Sequence, residues 1–136
     1  MTRAYEEAGE PLRQVGLEDR VERRVTDFAE AGAEVEPADI VVLNRVICCY
    51  PDMPKLAGAA AERAGSMLVM SFPNSRWWTR IGLRLANFGF RVIRMQFRVF
   101  LHPPEIILAV VERHGFRTKL NEQGLLWQVA AFERTA

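Results

Sequence analysis

The stretch Asp39-Ile-Val-Val-Leu-Asn-Arg-Val-Ile-Cys-Cys-Tyr-Pro-Asp52 sets an amide, a guanidinium, two thiols and a phenol directly after an apolar run. Asn44 can donate and accept hydrogen bonds, Arg45 can pair with an anion in two-pronged geometry, and Tyr50 carries a phenolic donor. Upstream, Asp27-Phe28 places an acceptor-only carboxylate beside a flat apolar ring. Downstream, Arg76, Arg80, Arg84 and Arg91 recur at helical spacing beside Trp77 and Trp78, and His102 precedes two prolines. Cys48 and Cys49 are adjacent and are the chain's only cysteines. Bridging neighbours is strained, so one buried thiol and one pocket-facing thiol are expected rather than a disulfide. With two cysteines and two histidines no zinc ligand set exists, and no metal site is expected.

These residues need elements to hold them. Ile40 to Leu43 read as a strand buried on both faces, because a one-sided strand would alternate apolar and polar residues. Asn44 to Tyr50 then lie just past its carboxyl end, where open parallel sheets bind their ligands. Thr2 to Val15 has helix formers ending at Gly16, with Gly9 and Pro11 predicting a kink or a start only at Pro11. Val21, Arg23 and Val25 alternate with charged neighbours and predict a short strand, followed by a loop from Ala29 to Ala38. Pro51 to Ala64 predicts a helix with Asp52 as N-cap, Pro54 in its first turn and Gly65 closing it.

Ser66 to Phe72 predicts a second buried strand stopped by Pro73. A long amphipathic helix from about Arg76 to Val92 follows, with Trp77, Ile81, Leu85 and Phe88 near one face. His102-Pro103-Pro104 breaks the chain before a helix from Glu105 to His114, capped by Gly115. Phe116 to Leu120 and Leu125 to Phe132 close the chain as an antiparallel hairpin, since parallel neighbours need a long crossover. The order predicts an α/β protein whose sheet is mostly parallel with a C-terminal antiparallel hairpin.

A chain of 136 residues, 49% of them hydrophobic, fits one domain over residues 1–136 with a real core. The net charge of +1 hides an uneven spread: acids crowd Glu6 to Glu36, whereas Arg76 through Arg98 run without one. Nucleic-acid binding is not favoured, because the basic residues lack the broad positive balance that phosphate neutralisation uses. No apolar run is long enough to span a bilayer and no signal peptide is legible, so a cytoplasmic location is expected. The arginine helix admits three readings: a clamp for an anionic acceptor, a membrane-surface helix, or a solvated face over a buried Trp77 and Ile81.

The order of these elements, with Asp27-Phe28 after one strand and Asp39 to Asn44 as the next, resembles the later part of the class I S-adenosylmethionine-dependent methyltransferases. Arg45-Val-Ile-Cys-Cys-Tyr-Pro-Asp52, Ser71-Phe-Pro-Asn-Ser-Arg-Trp-Trp78, Phe97-Arg-Val-Phe-Leu-His-Pro-Pro104 and Gly124-Leu-Leu-Trp-Gln-Val129 are similar to bacterial methyltransferases of the magnesium-protoporphyrin O-methyltransferase type. The resemblance implies a Rossmann-like fold, S-adenosylmethionine as cofactor and a small-molecule acceptor such as a carboxylate.

It also implies roles. Asp27 would accept from the adenine amine and Phe28 would pack on the ring, while Asn44, Arg45 and Val46 would line the methionine end of the cofactor. Cys49, Trp78, Arg76 and Arg80 would face the acceptor, with Tyr50 and His102 as the catalytic, acceptor-positioning pair. Beside this stand plainer readings: Asp27 capping a turn over a core Phe28, Asn44 and Arg45 ending a strand, and His102 opening a helix.

The sequence departs from the family in lacking the glycine-rich cofactor loop after a first strand, since Gly9 and Gly16 have neither the spacing nor a preceding strand. A non-catalytic remnant or regulatory module is therefore an alternative to an enzyme. Losing those strands would also bare one side of Ile40 to Leu43. Either Val21 to Val25 re-pairs with it or a second copy closes the edge as a homodimer.

Overall fold

The computed structural model describes residues 2–136. Helix α1 (Thr2–Gln14) runs through Pro11 rather than starting there. It ends as expected on Gly16, whose φ of 67° suits a residue without a Cβ. Leu17 N–H reaches back to Leu12 O at 2.9 Å and Gly16 N–H to Arg13 O at 3.1 Å, closing the last turn.

Val21 to Val25 is not a strand. Its alternation puts Val21 and Val25 in solvent, with no partner strand to make the pattern pay off in pairing. The loop expected after it contains a short helix α2 (Phe28–Ala31) and a tight turn at Gly32–Glu34. Asp27 nucleates α2 by accepting Ala29 N–H at 3.0 Å.

Strand β1 (Ala38–Asn44) leads into helix α3 (Met53–Arg63), where Asp52 accepts Lys55 N–H at 3.2 Å and Pro54 sits in the first turn. Gly65 does not close α3. Ala64 is already extended, so the chain passes directly from helix into β2 (Ala64–Pro73). Helix α4 (Trp77–Val92) and helix α5 (Pro104–Arg113) follow, the latter stopped by Gly115 at φ 82°. Strands β3 (Phe116–Gln123) and β4 (Trp127–Arg134) form the closing hairpin.

The sheet order is β1-β2-β4-β3. The α/β class and the C-terminal antiparallel hairpin are as expected, but the parallel share is smaller than the element order suggests. β1 and β2 pair in parallel, with Val41 opposite Leu68 and Asn44 opposite Ser71, whereas β4 joins β2 antiparallel because the hairpin inserts its second strand there. Among the described residues no strand precedes β1, which forms the sheet's edge.

The core lies between one sheet face and the helices α3 and α5: Leu68, Met70, Phe72 and Phe132 meet Leu56, Ala57, Ala60, Ile107 and Val111. Burying these side chains is worth roughly 1.5–3 kcal/mol for each large one, the main favourable term of the fold. The small residues of α3 let it sit close against its neighbours. One expectation fails clearly: β1 is not buried on both faces. Leu43 faces the core, but Ile40 and Val42 are 57% and 59% exposed. An unbroken apolar run cannot report that its second face lacks a covering layer.

Candidate functional site

At the end of β1 the chain turns at Arg45, a non-glycine residue at φ 58°. Left-handed backbone costs an L-residue roughly 1–2 kcal/mol, so the surrounding bonds must hold it. Arg45 N–H is shared between Ser71 O at 3.3 Å and Ser71 Oγ at 2.9 Å, and Ser71 Oγ donates to Asn44 Oδ1 at 2.7 Å. The next turn, Ile47–Cys49, sinks Ile47 and Cys48 into the protein and leaves Val46, Cys49 and Tyr50 at the rim.

Two hollows flank this turn. The first, about 660 Å³, is lined by Val25, Thr26, Asp27, Phe28, Leu43, Val46, Cys49, Tyr50 and Leu56. Its polar feature is the Asp27 carboxylate, which takes the Tyr50 hydroxyl at 3.1 Å on Oδ2 and 3.2 Å on Oδ1. Partial withdrawal from water, then the bond to Asp27, push the Tyr50 phenol above its ordinary pKa. It is therefore a neutral donor at physiological pH. A carboxylate has about four lone-pair sites, so after Ala29 N–H and Tyr50 Asp27 can still accept an amine.

The second hollow, about 400 Å³, lies between the turn, the first half of α4 and the β3–β4 hairpin. Arg45, Cys49, Trp78, Leu83, Phe97, Leu126 and Trp127 line it. The Arg45 guanidinium lies 4.7 Å from the centre of the Trp127 ring, an arrangement that steadies the cation beside an apolar wall. Cys49 borders both hollows and is the one residue their linings share.

The two cysteines divide as expected. Cys48 is buried, Cys49 is exposed, and their sulfurs lie 3.7 Å apart without a bond. Burial, then the hydrogen bond with Cys49, pushes the Cys48 thiol up to about 11. Its contribution to stability is thus complete below the ordinary thiol value of 9.0 and is lost as pH rises through about 11. Cys48 is inert at neutral pH.

The structure therefore brings Asp27, Phe28, Val46, Cys49 and Tyr50 around one hollow and Arg45, Cys49 and Trp78 around the other. Asn44 lines neither and serves the turn through Ser71. His102 also lines neither: its Nε2 lies 3.0 Å from Tyr50 O, and since a carbonyl only accepts, Nε2 carries the proton there. Arg76 reaches the second hollow only by lying over Trp78, 5.1 Å from the ring centre, and Arg80 lines a separate recess with Glu105. Both plainer readings of Asp27-Phe28 also hold, since Asp27 caps α2 and Phe28 packs on the core.

Sequence reasoning missed the residues that hold the second hollow in shape. Asn74, fully buried, donates to Gly124 O and Leu125 O at 3.0 Å each and accepts from Thr79 Oγ1 at 2.7 Å and Arg76 N–H at 3.3 Å. It ties the hairpin loop to the start of α4, helped by Trp78 Nε1 on Leu125 O. Asn87 makes a two-way bond with the Val99 backbone at 2.8 and 3.0 Å, fixing the segment that carries Phe97. Only the position of Asn74 after Pro73, between a strand and a helix, could have signalled it.

Comparison with solved structures places this geometry. The chain is similar to an O-methyltransferase family protein from Burkholderia thailandensis, at 21% identity and a TM-score of 0.75 over 97% of this chain and 41% of that one. It is also similar to magnesium protoporphyrin IX methyltransferase from Synechocystis PCC 6803 with bound SAH, at 16% identity and a TM-score of 0.64 over 82% of this chain and 50% of that one. An O-methyltransferase family 2 protein from Planctomyces limnophilus, in complex with apigenin, matches at 16% identity and a TM-score of 0.70 over 94% of this chain and 39% of that one. The fold matches part of the methyltransferase fold. This methyltransferase-like chain spans half or less of the length of the solved structures it matches. No protein-family model and no curated protein matches it.

Proposed function

We propose that this methyltransferase-fold chain holds S-adenosylmethionine in the hollow at Asp27 and a small-molecule acceptor in the hollow at Trp78, and serves methyl transfer between them. The observation that carries this is the shared wall: two hollows, one with a carboxylate and a ring, the other apolar with an arginine, meet at Cys49. The solved neighbours include two structures of magnesium protoporphyrin IX methyltransferase from Synechocystis PCC 6803, one with bound SAH and one with bound SAM, which supports the choice of cofactor.

In this reading Asp27 accepts the adenine amine, and Phe28 with Leu56 supplies flat and apolar contact. Val46 and the backbone around Arg45 border the methionine end, with Asn44 holding the turn. S-adenosylmethionine, when bound, supplies an electrophilic sulfonium methyl. The chain's own part is to align the acceptor and exclude water, which is where such displacements gain most. A carboxylate acceptor is already ionised at neutral pH and needs no general base. Arg45, and Arg76 through its contact with Trp78, give such an acceptor its counter-charge. Tyr50 orients Asp27, and His102 acts as a positioning residue by fixing the Tyr50 backbone.

A second reading is a non-catalytic module that keeps the fold. For either reading we infer that a second copy pairs with the free β1 edge at Ile40–Leu43 to form a homodimer, and that the protein works in the cytoplasm, where Cys48 and Cys49 stay reduced.

Calorimetry with S-adenosylmethionine separates the two. The enzyme reading predicts heat of binding that weakens about tenfold or more in Asp27→Ala, the scale of one hydrogen bond to a charged group. Asp27→Asn, which still caps α2, should lose affinity while keeping the fold. No heat at millimolar cofactor would establish the non-catalytic reading instead.

A further inference from the structure

We propose that the outer face of α4 docks on an anionic lipid bilayer. Trp77, Ile81, Leu85, Phe88 and Val92 recur at steps of four, four, three and four, which keeps them on one stripe of the helix. All five face solvent, at 68%, 48%, 66%, 67% and 65% exposure. Of the three readings of this helix, the exposure rules out the one with Trp77 and Ile81 buried beneath a solvated face. The helix meets the body through the opposite side, where Thr79 is buried and Leu83, Ala86 and Asn87 are partly covered.

Charge decides what covers the stripe. Arg80, Arg84 and Arg91 form a row along its edge, and Arg76, Arg94 and Arg98 flank the helix in the chain. No Asp or Glu occurs between Asn74 and Pro104, and among the described residues none of these six arginines is in an ion pair. A second copy laid on the same stripe would bring two sets of arginines together without a counter-charge. A bilayer bearing anionic headgroups supplies both things the face lacks: an apolar layer for Trp77, Leu85 and Phe88, and negative charge for the arginine row. No described helix is long and apolar enough to cross a membrane, so the helix would lie in the interface. Trp78 and Leu83 of the same helix line the second hollow, so the docked face lies beside the acceptor site.

The test is co-sedimentation of the full chain with phosphatidylcholine vesicles, with and without phosphatidylserine. Binding should appear with phosphatidylserine, fall with added salt, and weaken roughly tenfold or more in Arg84→Glu/Arg91→Glu, given the strength of each cation near a charged surface. Leu85→Asp/Phe88→Asp should also abolish it. Circular dichroism checks both variants, and the arginine pair leaves the apolar stripe intact, so a folding defect in one variant leaves the other decisive. Equal, weak sedimentation with both vesicle types would overturn the proposal. So would an oligomer in light scattering that Leu85→Asp/Phe88→Asp dissociates, which would make the stripe an interface between copies.

Discussion

Three side chains shape the two hollows of the candidate site, and two of them were visible in the sequence. Asp27 and Tyr50 are 23 residues apart in the chain yet share a hydrogen bond at the rim of one hollow. Their residue types raised the expectation of a site; their contact depends on the α2 cap and the turn after β1, which no local pattern encodes. Tyr50→Phe removes the hydroxyl but not the ring, so it should leave the fold unchanged and alter cofactor affinity by less than Asp27→Ala, as calorimetry would show. Asn74 was not legible, because buried amides carry no periodic signal. Its replacement by Ala removes the partner of Gly124 O, the Thr79 hydroxyl and Arg76 N–H and leaves Leu125 O to Trp78 Nε1 alone, and should lower stability by roughly 1–3 kcal/mol in urea denaturation. At the thiols, a maleimide at neutral pH should label Cys49 alone and reach Cys48 only on unfolding, as mass spectrometry after brief labelling would read.

Elements were read best where the backbone itself leaves a mark. Gly16 and Gly115 both stop helices in the left-handed conformation, and Asp52 caps α3, all from local signals. A Cβ on Gly115 would meet only Thr135 Oγ1 at 3.8 Å, so Gly115→Ala costs conformation rather than space. A loss of roughly 1–2 kcal/mol of stability, read as a lower denaturation midpoint, is the expected outcome. Where pairing or layering decides, sequence reading failed. Val21 to Val25 alternates like a strand but has no neighbour to join, and β1 reads as doubly buried although Ile40 and Val42 have no cover. The apolar side of α4 misled in the same way: periodicity shows that a stripe exists, not what lies against it.

On the scale of the whole molecule, the methyltransferase fold was legible from the order of elements and their quoted segments, while the balance of the sheet was not. Insertion of β4 beside β2 is a topological fact of long-range pairing. Among the described residues no strand pairs with the outer edge of β1. If a second copy pairs there, amide exchange at Ile40 to Leu43 should slow as protein concentration rises, and light scattering should report a dimer. Fast exchange in a monomer at every concentration would exclude that homodimer. The two hollows at the other end of β1 carry the functional claim, because Cys49 is their common wall. The rate of Cys49 alkylation with and without S-adenosylhomocysteine tests it most directly. A nucleoside seated against Asp27 should slow labelling of Cys49 in the wild type and give no protection in Asp27→Ala. Labelling at the same rate in saturating, millimolar S-adenosylhomocysteine would contradict the shared site.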